Sequence, residues 1–120
     1  MQARFYIFRS AWSSWQSLFG EAASYLTELG PERVLGVSHS ADKTEGVITV
    51  WYWDQPVAGR AGPPVRVAFE AFRGLWATWQ TLFHDAAEFV SRVGPQRVIG
   101  VSHSEDKDAG VVTVWYWEEA

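Results

Sequence analysis

The chain of 120 residues predicts an α+β fold in which one β-α-β-β unit is used twice, and three observations carry the prediction. Short motifs recur at a constant spacing of 64 residues: Phe8-Arg9 with Phe72-Arg73, Gly36-Val37-Ser38-His39-Ser40 with Gly100-Val101-Ser102-His103-Ser104, and Trp51-Tyr52-Trp53 with Trp115-Tyr116-Trp117. Over residues 4–54 and 68–118 about 28 of 51 aligned positions are identical without a gap, far beyond chance for unrelated segments. Within each copy the apolar period runs from two to three-and-four and back to two, the order of strand, helix and hairpin. The expected architecture is two three-stranded antiparallel sheets, each with one helix on one face, related by a pseudo-twofold axis.

The first strand of each copy is read from Arg4-Phe5-Tyr6-Ile7-Phe8 and from Val65 to Phe72. Val65, Val67, Phe69 and Ala71 alternate with Arg66, Ala68 and Glu70, the pattern of a half-buried strand, and Phe5 and Ile7 take the matching inward face. The helix follows. Trp15, Leu18, Phe19, Ala22, Leu26 and Leu29 step by three and four, as do Trp79, Leu82, Phe83, Ala86, Val90 and Val93. Ser14 and Thr78 stand where a hydroxyl can cap the first turn, and Gly30-Pro31 and Gly94-Pro95 mark the end. Trp12 and Trp76, just before the helices, are expected to staple their starts into the core.

Residues 33–40 with 47–53, and 97–104 with 111–117, form β-hairpins around polar loops that end in glycine. Asp42-Lys43 and Asp106-Lys107 recur in those loops, where Asp commonly caps its own turn. Residues 1–54 and 65–120 are thus the two repeats of one compact pseudo-dimeric domain, with 55–64 as a Pro/Gly linker.

Strand phase decides what is left over. Ile48, Val50 and Tyr52, with Val112, Val114 and Tyr116, share the face that suits the helix, whereas Trp51 and Trp53, with Trp115 and Trp117, point away from it. On the neighbouring strand Leu35, Val37 and His39 are expected on the helix side, with Val34, Gly36, Ser38 and Ser40 on the tryptophan side. Four tryptophans bring on the order of 600 to 1,000 Å² of apolar surface, more than a typical monomer exposes in one patch. The cover is the other repeat, with two sheets face to face and helices outside, or another chain, or a planar ligand. Ligand or interface candidates are accordingly Trp51, Trp53, Trp115, Trp117, Ser38, Ser102, His39 and His103.

Composition narrows the function classes. A net charge of −4 with ten scattered basic residues argues against nucleic acid as partner, and no apolar run is long enough for a membrane-spanning helix. Zero cysteines and no secretory signal point to a cytoplasmic setting without disulfides or thiolate metal sites. Ser38-His39 and Ser102-His103 resemble nucleophile and base, but strand neighbours face opposite ways, so neither histidine activates the serine beside it. A metal at His39 or His103 would need further donors, for which Asp42 and Asp106 offer only loop positions. Arg9, Arg33, Arg73 and Arg97 recur as cations, read first as exposed strand-end residues and in the alternative as holding an anion at the repeat boundary. His84 replaces Gly20 and reads as an exposed helix residue. No catalytic residue, metal site or cofactor is expected.

The Val-Thr-Val-Trp-Tyr-Trp hairpin at 112–117 looks like that of short uncharacterised bacterial proteins built from one such unit, and the tandem β-α-β-β topology resembles the dodecin-like and gyrase-inhibitor-like group of modules. Dodecins hold flavins between aromatic rings and gyrase-inhibitor-like domains take small aromatic ligands where two modules meet, so the resemblance implies pairing and a pocket, and no enzyme. The expectation is a non-enzymatic structural or protein-interaction module that self-associates through its repeats and can take up further chains. The alternative is a protein that binds or sequesters a planar ligand such as a flavin or nucleotide.

Overall fold

A computed structural model describes residues 1–11, 14–41, 45–60, 65–74, 76–105 and 109–119. The first unit comprises β1 (Ala3–Ser10), α1 (Trp15–Leu29), β2 (Val34–Ala41) and β3 (Gly46–Trp53). The second comprises β4 (Val67–Gly74), α2 (Trp79–Val93), β5 (Val98–Glu105) and β6 (Gly110–Trp117). The strands form two antiparallel sheets of order β1-β3-β2 and β4-β6-β5, each with its helix on one face. This is the fold class expected from the sequence.

Local chemistry explains the element ends. Ser14 and Thr78 accept hydrogen bonds from the backbone N–H groups of Ser17 and Thr81, satisfying donors that the first helical turn leaves free. Gly30 and Gly94 close the helices at φ 80° and 93°, where a Cβ would strain the backbone, and each returns its N–H to the carbonyl of Leu26 or Val90. Arg33 and Arg97 then donate Nε–H to the carbonyls of Trp53 and Trp117, pinning the start of β2 and β5 to the end of the last strand. That bond, together with a cation placed over Tyr52 or Tyr116, is what the duplicated arginines do.

Inside each unit the packing repeats. Leu18, Ala22 and Leu26 of α1 bury against Ile48 and Val50, and Leu82 and Ala86 of α2 against Val112 and Val114. Trp15 stacks on Phe19 and Trp79 on Phe83, with the His39 and His103 rings set edge-on to each pair. The indoles run over the hairpin ends. A Cβ at Gly46 would lie 3.0 Å from the Trp15 ring and one at Gly110 2.8 Å from that of Trp79, so glycine there lets the helix start close onto the hairpin.

The helix side of β2 departs from simple alternation. A bulge between Val34 and Gly36 puts Val34 opposite Tyr52, on the helix side, where it is buried, and leaves Leu35 exposed. The expected phase holds from Gly36 onward and is reversed at these two residues.

The two units do not meet as equals. Helix α1 is wedged between the sheets: Leu18, Ala22 and Leu26 serve its own sheet, while Phe19, Ala23 and Thr27 face β4 and β6 of the other. Phe19 meets both Phe69 and Trp115, and Thr27 Oγ1 accepts the Val67 backbone N–H at 2.9 Å. At the thin edge of the wedge β2 lies against β5. The layers therefore run first sheet, α1, second sheet, α2, and α2 makes no comparable contact with β1. The pseudo-twofold relation describes the repeated topology and does not extend to the junction, which joins the helix side of the first unit to the tryptophan side of the second.

Two expectations fail for this reason. Phe5 and Ile7 pair with Trp51 and Thr49 on the face away from α1 and are exposed, Phe5 at 57%, because no helix among the described residues covers that face. Their counterparts Phe69 and Ala71 are packed against α1. Trp76 is 94% exposed and staples nothing, since Trp79 already fills the space at the start of α2. Trp12 and the loop residues Asp42, Lys43, Asp106 and Lys107 lie outside the described residues.

Candidate functional site

Six of the eight candidate residues separate into a closed set and an open set. The closed set sits at the junction. Ser102 on β5 and Trp115 on β6 share the tryptophan side of the second sheet, and Trp115 Nε1–H donates to Ser102 Oγ at 3.0 Å. His39, on the helix side of β2, reaches the same oxygen, its Nδ1 2.6 Å from Ser102 Oγ. All three are buried, Trp115 completely. An indole N–H can only donate, so Ser102 Oγ accepts from Trp115 and keeps its own proton for His39 Nδ1 when that nitrogen is unprotonated. Burial and the nearby His103 hold the His39 pKa down to about 4, so the ring is neutral near pH 7.

The sequence could not show this pair. Each histidine faces away from the serine next to it, as the alternation of strand residues requires, but the junction brings to His39 the serine of the other copy. No signal in the order of residues pairs His39 with Ser102 in preference to His103 with Ser38. The Ser–His distance suits proton transfer, yet the serine is enclosed by Trp115 and the histidine by Trp15 and Phe19, so no substrate reaches the hydroxyl. What this arrangement does is lock β2 onto β5. Among the described residues no group of three or more His, Cys, Asp and Glu side chains stands together to hold a metal ion.

The open set is the same chemistry without its cover. Ser38 and His103 are exposed, and Trp51 is 41% exposed beside Phe5, ring centroids 5.6 Å apart. With Ile7 these rings make an apolar sheet face on the first unit. Their counterparts in the second unit, the identical Phe69 and Trp115 with Ala71 in place of Ile7, lie under α1, so the exposure of the two rings comes from what packs above the sheet. On the far side of the molecule Phe83, the counterpart of Phe19, is 43% exposed, and Ala87, the counterpart of Ala23, is exposed as well.

Trp53 and Trp117 belong to neither set. Both are half-buried at strand ends, held through their carbonyls by Arg33 and Arg97. Trp117 also lines a groove of about 1020 Å³ between the two units, with Leu35, Ile99, Arg60, Arg97 and Glu119. Arg97 in that groove is already engaged by Val93, Trp117 and Glu119.

Among the described residues no helix is long and apolar enough to cross a membrane. Compared with known protein families, curated proteins and solved structures, the chain finds no match.

Proposed function

We infer that this protein is a non-enzymatic interaction module whose working surface is the open aromatic face of its first unit, and that the face receives an apolar helix. One observation carries the reading: the matching face of the second unit, with the same phenylalanine and tryptophan, is covered by a helix, with Phe19 of α1 against Phe69 and Trp115. Phe5, Ile7 and Trp51 present the corresponding residues, in the same strand positions, without that cover. Groups of large rings with a small neighbouring residue such as Ser38 are well suited to anchoring a helix by its apolar stripe.

The test is titration of the full chain with a side-chain-bridged peptide of residues 14–30, bridged because an isolated helix of that length is marginal in water. The Trp51 indole resonance of the labelled protein should shift and saturate while that of Trp115 stays, and a Phe19→Glu peptide should bind at least about tenfold more weakly. Absence of a saturable shift at Trp51 would remove the reading.

A second reading, a site for a small planar molecule such as a flavin or nucleotide, rests on the groove beside Trp117, whose volume falls in the range of ligand sites. It requires a chromophore or other small molecule released when the purified protein is denatured, and a lower yield of it from Trp117→Ala.

A further inference from the structure

The junction inside the chain uses one surface of each unit and leaves the other surface of each unit unused. The first unit contributes its helix face and keeps its sheet face open, and the second contributes its sheet face and keeps its helix face open. We propose that the open sheet face of one molecule is occupied by helix α2 of a second copy, so that chains add head to tail by repeating their own internal junction. The proposal rests on the helix-receiving face inferred above and names its occupant. A contact between two different surfaces of the same molecule has no built-in stop, so growth is open-ended unless the rotation closes a ring.

Each contact of the internal junction has an available counterpart. Phe19 and Ala23 correspond to the exposed Phe83 and Ala87, and Phe69 and Trp115 to the exposed Phe5 and Trp51. Thr27, which accepts the Val67 N–H while donating to the carbonyl of Ala23, corresponds to Ser91, whose hydroxyl already makes the matching bond to the carbonyl of Ala87. His39 and Ser102 correspond to His103 and Ser38, both exposed, so the buried pair can form a second time.

The positions that differ between the copies also fit. A small groove of about 420 Å³ runs over the internal junction beside Gly20 and Ser24 of α1 and Ala68 of β4. At the repeated junction these become His84, Glu88 and Arg4. A Cβ at Gly20 would meet nothing within 4 Å, so the imidazole of His84 has room, and Arg4, opposite Tyr52 on the helix side of its sheet and beside Asp54, stays clear of the contact. A symmetric dimer, sheet face on sheet face, would leave Phe83 and Ala87 uncovered and would use none of these matches.

The experiment is sedimentation of the full chain and two variants across increasing concentration, with circular dichroism confirming that each variant is folded. Wild-type protein should grow past the dimer mass without a plateau. Trp51→Glu, which spoils the sheet face, and Phe83→Glu, which spoils the α2 face, should each remain monomeric. Mixed in equal amounts they should form a dimer that stops at two, since each retains the surface that the other lacks. As a second measurement, Ala3→Cys with Ser91→Cys in this cysteine-free chain should crosslink on oxidation into a ladder of dimers and longer products, because these two positions stand on opposite outer layers of one molecule and meet only at the proposed junction. A closed dimer abolished by Trp51→Glu and untouched by Phe83→Glu would overturn the proposal in favour of symmetric pairing. Wild-type protein that stays monomeric throughout would overturn it too. If that monomer still binds the bridged α1 peptide, the helix-receiving face survives and only its occupant is wrong, whereas failure of both removes the face itself.

Discussion

His39 Nδ1 lies 2.6 Å from Ser102 Oγ, a contact that joins the two repeats across 63 residues of chain, while the twin residues His103 and Ser38 both stand exposed. Copies of one motif therefore carry unequal energetic weight, and comparisons between twin residues distinguish them.

Ser102→Ala should destabilise the fold by about 1 to 3 kcal/mol, because the Trp115 indole N–H and His39 Nδ1 both lose their partner in a buried setting. Ser38→Ala, on the exposed copy, should stay within about 0.5 kcal/mol of wild type when measured at a concentration where the chain is monomeric. Urea unfolding of both variants checks this, and equal effects would show that the junction is not unequal.

Trp115→Ala should cost about 3 to 5 kcal/mol, the range for deleting a large buried ring, since the indole is fully enclosed by Phe19, Phe69 and its own strand. Trp51→Ala removes a ring that already keeps much of its surface in water and should cost about 1 kcal/mol or less to the isolated chain. Thermal unfolding of the pair at low concentration reads the difference directly.

Acid should weaken the fold through His39. Its pKa falls from 6.5 in the unfolded chain to about 4 in the folded one, so between those values the unfolded state binds the extra proton. The contribution is fully present above pH 6.5, is lost progressively as the pH falls towards 4, and amounts to on the order of 3 kcal/mol. His39→Gln should flatten the stability profile in that window relative to wild type. Denaturant midpoints at pH 7 and pH 4.5 provide the comparison.

Gly110→Ala should destabilise by about 1 to 3 kcal/mol, because its new Cβ would sit 2.8 Å from the Trp79 indole and only a shift of the helix start relieves the overlap. Gly100→Ala, where an added Cβ meets nothing within 4 Å, should be tolerated. If both behave alike in chemical denaturation, Trp79 is not held as tightly over the hairpin as the packing indicates.

Much of the molecule was legible in the order of residues. The constant spacing of 64 required two equal units, the change of apolar period required strand, helix and hairpin within each, and Ser14, Thr78, Gly30 and Gly94 marked the helix ends that the structure confirms. These features depend on backbone geometry and on neighbours a few residues away, which any single copy carries in full. The bulge at Leu35 was not read, although Gly36 beside it, a glycine inside a strand, is the kind of residue that marks one.

The unequal fate of identical residues lay outside the sequence altogether. Trp51 and Trp115, Phe19 and Phe83, and His39 and His103 are the same side chains, and the differences beside them, such as Gly20 and Ser24 against His84 and Glu88, were not enough to read which is to be covered. That was decided only when α1 came to rest between the two sheets, because a helix wedged there covers the tryptophan side of one sheet and cannot also reach that of the other.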